Sequence, residues 1–144
     1  MPSLCDVNVL LPLCTDRHVH CAAARAWAET ITQPHALSVC RVSQLGLLRL
    51  LNNPVVMKEH ALSTIECWRV YDTLMTDERF VFRPEPAGLE RALQKLTRPH
   101  SFAPKLWQDA YLAAFAIAGG LQLVTFDQGF RSFVGLDCRV LSAG

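Results

Sequence analysis

A chain of 144 residues that is 51% hydrophobic has the length of one ordinary domain and enough apolar content to bury a core without disulfide staples. Its formal net charge of +1 is too weak to draw the whole molecule to nucleic acid or an anionic membrane, so any such affinity has to be local. Six cysteines (Cys5, Cys14, Cys21, Cys40, Cys67 and Cys138) form no C-x-x-C pair and read as small hydrophobes of a reducing cytosol, and no basic segment precedes the first apolar run to mark a leader.

In chain order, residues 2–6 read as a short strand. Residues 15–31, TDRHVHCAAARAWAETI, read as a helix capped by Asp16, with Ala24, Trp27 and Ile31 inward and Arg25 and Glu29 outward. HALSV, 35–39, is a second strand. The helix RVSQLGLLRLLNNP, 41–54, stops where Asn52 and Asn53 allow a left-handed cap and Pro54 forbids continuation. Residues 58–75 read as a helix with Ala61, Ile65 and Trp68 on one face; 79–85 is a strand and 86–96 a helix. The apolar stretch 110–126 is too broken to cross a membrane, interrupted by Gly119-Gly120 and Gln122 and flanked by Asp109 and Asp127. It divides into a buried helix (103–120) and a buried strand (121–126), and 138–141 is a last strand. Strands alternating with helices predict a mainly parallel sheet of four to five strands covered on both faces.

That topology gives the acids a meaning, because open parallel sheets bind ligands in the crevice beyond the carboxyl ends of their strands. Asp6 ends the first strand, Asp127 ends LQLVTF, and Asp109 lies in the early turns of the helix feeding it. Three carboxylates sharing one crevice repel one another and resist desolvation, so they call for a cation or for raised pKa values. Hard oxygen ligands suit magnesium or manganese.

The blocks CDVNVLL, SQLGLLRLLNNP and WQDAYLAAFAIAGGLQLVTFDQGF, in that order, resemble the motifs of PIN-domain ribonucleases of the VapC toxin type, and the likeness covers nearly the whole chain. The resemblance implies a three-layer α/β/α sandwich with residues 1–144 as a single PIN domain. It implies a Mg2+- or Mn2+-dependent endoribonuclease cutting RNA through metal-activated water, with Asp6, Asp109 and Asp127 as the metal-holding catalytic acids. Asn8 and Thr125 match polar residues beside them. The family's remaining acid, usually a glutamate, falls at Gln44, which leaves that position uncharged. A cognate antitoxin seated in an apolar groove and a homodimer complete what the family implies; the cytoplasmic location and lack of membrane association are read from the cysteines, the absent leader and the broken apolar stretch.

Further residues attach to this reading. Arg91, Lys95 and Arg98 fall at helical spacing and could grip RNA phosphates; Arg49 shares a helix with Gln44, and Arg41 and Arg131 are further candidates. Leu47, Leu48, Leu51, Trp68 and Tyr71 exceed what two short helices need for one buried face, and Leu47, Leu51, Trp68 and Tyr71 are expected to line the antitoxin groove. CTDRHVHC holds potential zinc ligands, yet its spacing is poor, since His18 and His20 point to different sides of a helix. A phosphoacceptor domain would need an acidic pair after the first strand, and a haloacid-type phosphatase a D-x-D where Asn8 stands. The alternative kept open is a PIN-like binding module that has lost chemistry through Gln44.

Overall fold

The computed structural model describes residues 1–142. Its strands β1 (Ser3–Cys5), β2 (Leu37–Val39), β3 (Phe80–Phe82), β4 (Gln122–Thr125) and β5 (Cys138–Val140) form one sheet in the order β3-β2-β1-β4-β5, every neighbouring pair parallel. Parallel pairs need crossovers, and helices supply them: α1 (Val7–Cys14), α2 (Cys21–Glu29), α3 (Arg41–Leu51), α4 (Pro54–Met57), α5 (Thr64–Met75), α6 (Leu89–Thr97) and α7 (Leu106–Gly119).

Alternation along the strands divides the core. Leu4 and Leu123 pack with Leu112, Phe115 and Phe130, while Cys5 and Val124, one residue on, pack with Val9, Leu10, Trp27, Leu47 and Tyr71. The sheet is thus covered on both faces, the three-layer arrangement the alternating elements predict. Strand order reverses between β1 and β4, so their carboxyl ends bound the switch-point crevice.

Four local readings differ from the structure. Asn52 and Asn53, at φ −87° and −92°, are not left-handed, and Pro54 opens α4, where its missing N–H costs nothing. VNVLLPLC, the apolar run after the first strand, is helix α1. It is capped by Asp6, too apolar to show a helical period, and interrupted by Pro12, which cannot donate to the carbonyl of Asn8. Asp16 caps nothing: it is exposed in a turn, and α2 starts at Cys21 with Ala24, Trp27 and Ala28 buried. Residues 58–75 are not one helix, because Ser63 and Glu66 close a capping box that starts α5 at Thr64, after a separate 3-10 turn at Lys58–His60. Consequently Ile65 and Trp68 are 64% and 47% exposed, and Cys67 and Tyr71 form the buried side of α5. The end of α7 matches its glycines: Gly120 adopts φ 65°, the left-handed stop that a Cβ would strain.

Candidate functional site

At the switch point Asp6 begins the site. Its backbone N–H donates to the carbonyl of Val124 (3.0 Å), tying it to β4, and its Oδ1 accepts from the Val7 N–H at 2.7 Å, which makes it the N-cap of α1. Its Oδ2 accepts the hydroxyl of Thr125 at 2.8 Å. Thr125, fully buried at the end of β4, accepts in turn from the Asn8 amide (3.2 Å) and from the Asp127 backbone N–H (3.0 Å). The Asn8 Oδ1 takes the Phe126 N–H at 3.1 Å, so its amide orientation is set by a backbone donor. Asp127 caps the 3-10 turn Gln128–Ser132 through Gly129 N–H to Oδ1 (2.8 Å).

Asp109, in the first turn of α7, completes the arrangement. Asp6, Asp109 and Asp127 all line one crevice of about 330 Å³, together with Asn8, His18, Gly46, Arg49 and Gln108. Burial pushes the Asp6 carboxyl above its ordinary value; the Thr125 and Val7 hydrogen bonds oppose this, and the charges of Asp109 and Asp127 add to it. Burial, then the charge of Asp127, raises Asp109 likewise. Among the described residues, no three His, Cys, Asp or Glu side chains stand close enough to coordinate one ion. The carboxylates therefore share a crevice without closing a ligand cage. That also removes a zinc site from CTDRHVHC. Instead, His18 lines the acidic crevice, its Nδ1 accepting from the His20 N–H at 3.0 Å, and burial followed by the nearness of His20 lowers its pKa.

Gln44 is not among the crevice-lining residues. Only 5% exposed, it accepts from Arg41 Nη1 at 2.5 Å, and a hydrogen bond with it draws down the Tyr71 phenol that burial has raised. α3 turns Gly46 and Arg49 to the crevice, while the Gln44 side chain meets Arg41 and Tyr71. Arg49 is brought to the acids as anticipated. Arg91 and Lys95 instead line an open trough on α6 with Gln94 and Arg98. The expected apolar groove is also redrawn, since Leu47, Leu51 and Tyr71 are 0%, 1% and 7% exposed and belong to the core. Leu45, Ile65 and Trp68 are the large apolar side chains that α3 and α5 leave exposed.

Sequence reasoning passed over Gly46 and Gln108 and weighed His18 only as a zinc ligand. Gly46 had a signal, a glycine inside a helix where alanine would be favoured by about 1 kcal/mol. Gln108 stands one residue before Asp109. His18, in a turn without periodicity, had none.

The PIN domain family model matches residues 3–136 of this chain. Ribonuclease VapC41 of Mycobacterium tuberculosis is 43% identical over 143 residues, 96% of this chain and 98% of that protein. Ribonuclease VapC44 of the same species is 31% identical over 89% of this chain and 87% of that protein. Among solved structures, VapBC2 from Rickettsia felis bound to a promoter DNA fragment superposes with TM-score 0.71 over 99% of this chain and 100% of that one, at 12% identity. The sarcin-ricin loop cleaving toxin VapC20 of Mycobacterium tuberculosis superposes with TM-score 0.61 over 94% and 98%, at 17% identity. At such identities these two structures speak to the fold.

Proposed function

The chain belongs to the PIN-domain family, and on that footing we propose that it is a divalent-metal-dependent endoribonuclease of the VapC type, the toxin of a toxin–antitoxin pair. The whole of 1–144 is read as one such domain. The observation that carries the site is the delivery of Asp6, Asp109 and Asp127 to one crevice by three separate elements at the sheet's switch point.

The donor set fits a hard divalent cation. Ionised Asp6 and Asp109 are disfavoured by burial and by neighbouring acids, and a cation is the group that relieves both. Without a closed ligand cage, an ion here would keep part of its water shell, which suits magnesium, with manganese as its substitute. When bound, such an ion lowers the pKa of its water and neutralises charge on the phosphate. The chain's own residues do the rest. Thr125 and Asn8 hold Asp6 in one orientation, and Arg49 at the crevice wall can pair with a phosphate oxygen.

The binding-module alternative depends on a charge missing at Gln44, and the bond of Gln44 to Arg41, with all three aspartates present in the crevice, supports the enzyme over it. Exposed Leu45, Ile65 and Trp68 support an apolar docking surface for the cognate antitoxin, and a homodimer belongs to the same reading. Six free cysteines suit the cytoplasm, and no helix among the described residues is long and apolar enough to cross a membrane.

The test is cleavage of RNA by the purified protein with magnesium or manganese. Asp127→Asn should cut it by more than about a hundredfold, since even outer partners of a metal are worth ten- to a hundredfold. Cleavage that survives chelator, or survives Asp127→Asn, refutes the assignment.

A further inference from the structure

Between Glu90 and Asp109 the chain carries Arg91, Lys95, Arg98, His100 and Lys105 and not one carboxylate, in a protein whose net charge is only +1. This stretch is most of α6, the turn, and the start of α7. The turn is a defined piece of backbone: the His100 N–H donates to the Thr97 carbonyl at 3.0 Å and the Leu106 N–H to the Ala103 carbonyl at 3.0 Å. Two aromatic side chains stand out from it, Phe102 at 100% and Trp107 at 59% exposure. Trp107 immediately precedes Gln108 and Asp109, which line the acidic crevice, and Lys105 is the N-cap of α7, four residues before Asp109. On α6, Arg91, Lys95 and Arg98 follow one another at helical spacing along an open trough of about 540 Å³, whose lining has one acid, Glu90 at its α6 end, against three cations.

We propose that the tip of the α6–α7 hairpin is a binding surface for the single-stranded RNA that flanks the scissile phosphate, with Trp107 and Phe102 stacking bases and Lys105, Arg98 and Lys95 following the backbone. The inference rests on the ribonuclease reading and extends it to how the strand is held. Phosphates and base faces are what a carboxylate-free run of cations interleaved with exposed rings complements. Duplex RNA keeps its base faces stacked inside and cannot offer them to Trp107, so the surface selects splayed, single-stranded segments. A protein partner would need a joined apolar patch. Phe102 and Trp107 make no ring contact with each other, and the exposed Pro104 and Lys105 lie between them in the chain.

The experiment is fluorescence anisotropy with a short fluorescein-labelled single strand and its duplex counterpart, in chelator so that nothing is cut. The double variant Phe102→Ala/Trp107→Ala should weaken single-strand binding by at least about tenfold and leave duplex binding nearly unchanged. Trp107→Phe, which keeps a ring, should restore most of the Trp107 share. Arg98→Ala and Lys105→Ala should each lower the slope of log affinity against log salt by roughly 0.7. Because these side chains are exposed, thermal melts of the variants should match the parent. Single-strand affinity within about twofold of the parent in the double variant overturns the proposal. So does unchanged RNA affinity with a loosened antitoxin complex, which would make the tip a protein surface. A parent that binds the strand through the tip yet cuts no RNA with metal would instead sink the ribonuclease reading alone.

Discussion

Gly46 offers the sharpest test of how the crevice is built. It is a buried glycine inside α3, and a Cβ placed there would stand 2.7 Å from Cγ2 of Val7, the first residue of α1 after the Asp6 cap. Ordinary carbon contacts lie near ~3.5–4.0 Å, so Gly46→Ala must drive the two helices apart or turn Val7. Turning is hard, because a β-branched side chain in a helix keeps one χ1 well. Overpacking of this kind costs about 1–3 kcal/mol, and alanine returns about 0.5–1 kcal/mol as the better helix former. The net should be a loss of about 1 kcal/mol, read as a fall in melting temperature of about 3–5 °C for a domain of this size. Cleavage should suffer more. A shift of about 1 Å between catalytic groups is worth on the order of a hundredfold, and Asp6 is bonded directly to Val7. Val7→Ala in the same chain makes room for the new methyl, so a double-mutant cycle by urea unfolding should show a favourable coupling of about 1 kcal/mol. If Gly46→Ala is as stable as the parent and uncoupled from Val7→Ala, the close approach of α1 and α3 is not what shapes the crevice.

Asp109→Asn should stabilise the metal-free protein at neutral pH. The folded carboxyl sits above its ordinary value through burial and Asp127, so its ionisation costs stability as pH rises through that raised value, and below the unfolded value near ~3.9 the cost is absent. Denaturant titrations in chelator should therefore show a gain at pH 7 that vanishes near pH 3.5, and a gain that persists in acid would assign the effect to packing. Gln44→Glu should place a carboxylate against Arg41 rather than in the crevice, so manganese affinity by calorimetry should stay within about twofold of the parent, and clear tightening would put position 44 at the metal.

The sheet, the switch-point crevice and the convergence of Asp6, Asp109 and Asp127 were legible because strand ends and their order are read from alternation of elements and from terminal polar residues. Side-chain direction on apolar helices was not. In α3, with leucine at five of its eleven positions, no polar stripe reveals which side meets the core. A step of two residues, about 200° of rotation, separates Gln44 from Gly46, and only packing decides that Leu47 and Leu51 go inward while Leu45 stays out. The start of α5 carried its own signal in Ser63 and Glu66, a capping box hidden inside a longer apolar period. α1 carried none beyond Asp6 itself, a cap with an apolar helix too short to count turns.

Asp6 shows why an acid stands in that apolar run at all. As an N-cap it answers a backbone donor that the first turn of α1 would otherwise leave open, and as the acceptor of Thr125 it joins β1 to β4 across the switch point. Thr125 has one proton and two oxygens in reach, Asp6 Oδ2 at 2.8 Å and Asn8 Oδ1 at 3.4 Å. The shorter contact to the charged acceptor takes it, which leaves Asn8 to donate into the hydroxyl oxygen and to accept from Phe126. Each carboxylate oxygen of Asp6 is thereby committed once to the fold, with lone pairs left over. Burial and the neighbouring acids work against the charge, and those hydrogen bonds hold the side chain where a cation's water shell can be met. The same contacts that fold the first helix thus set the orientation on which the proposed chemistry depends.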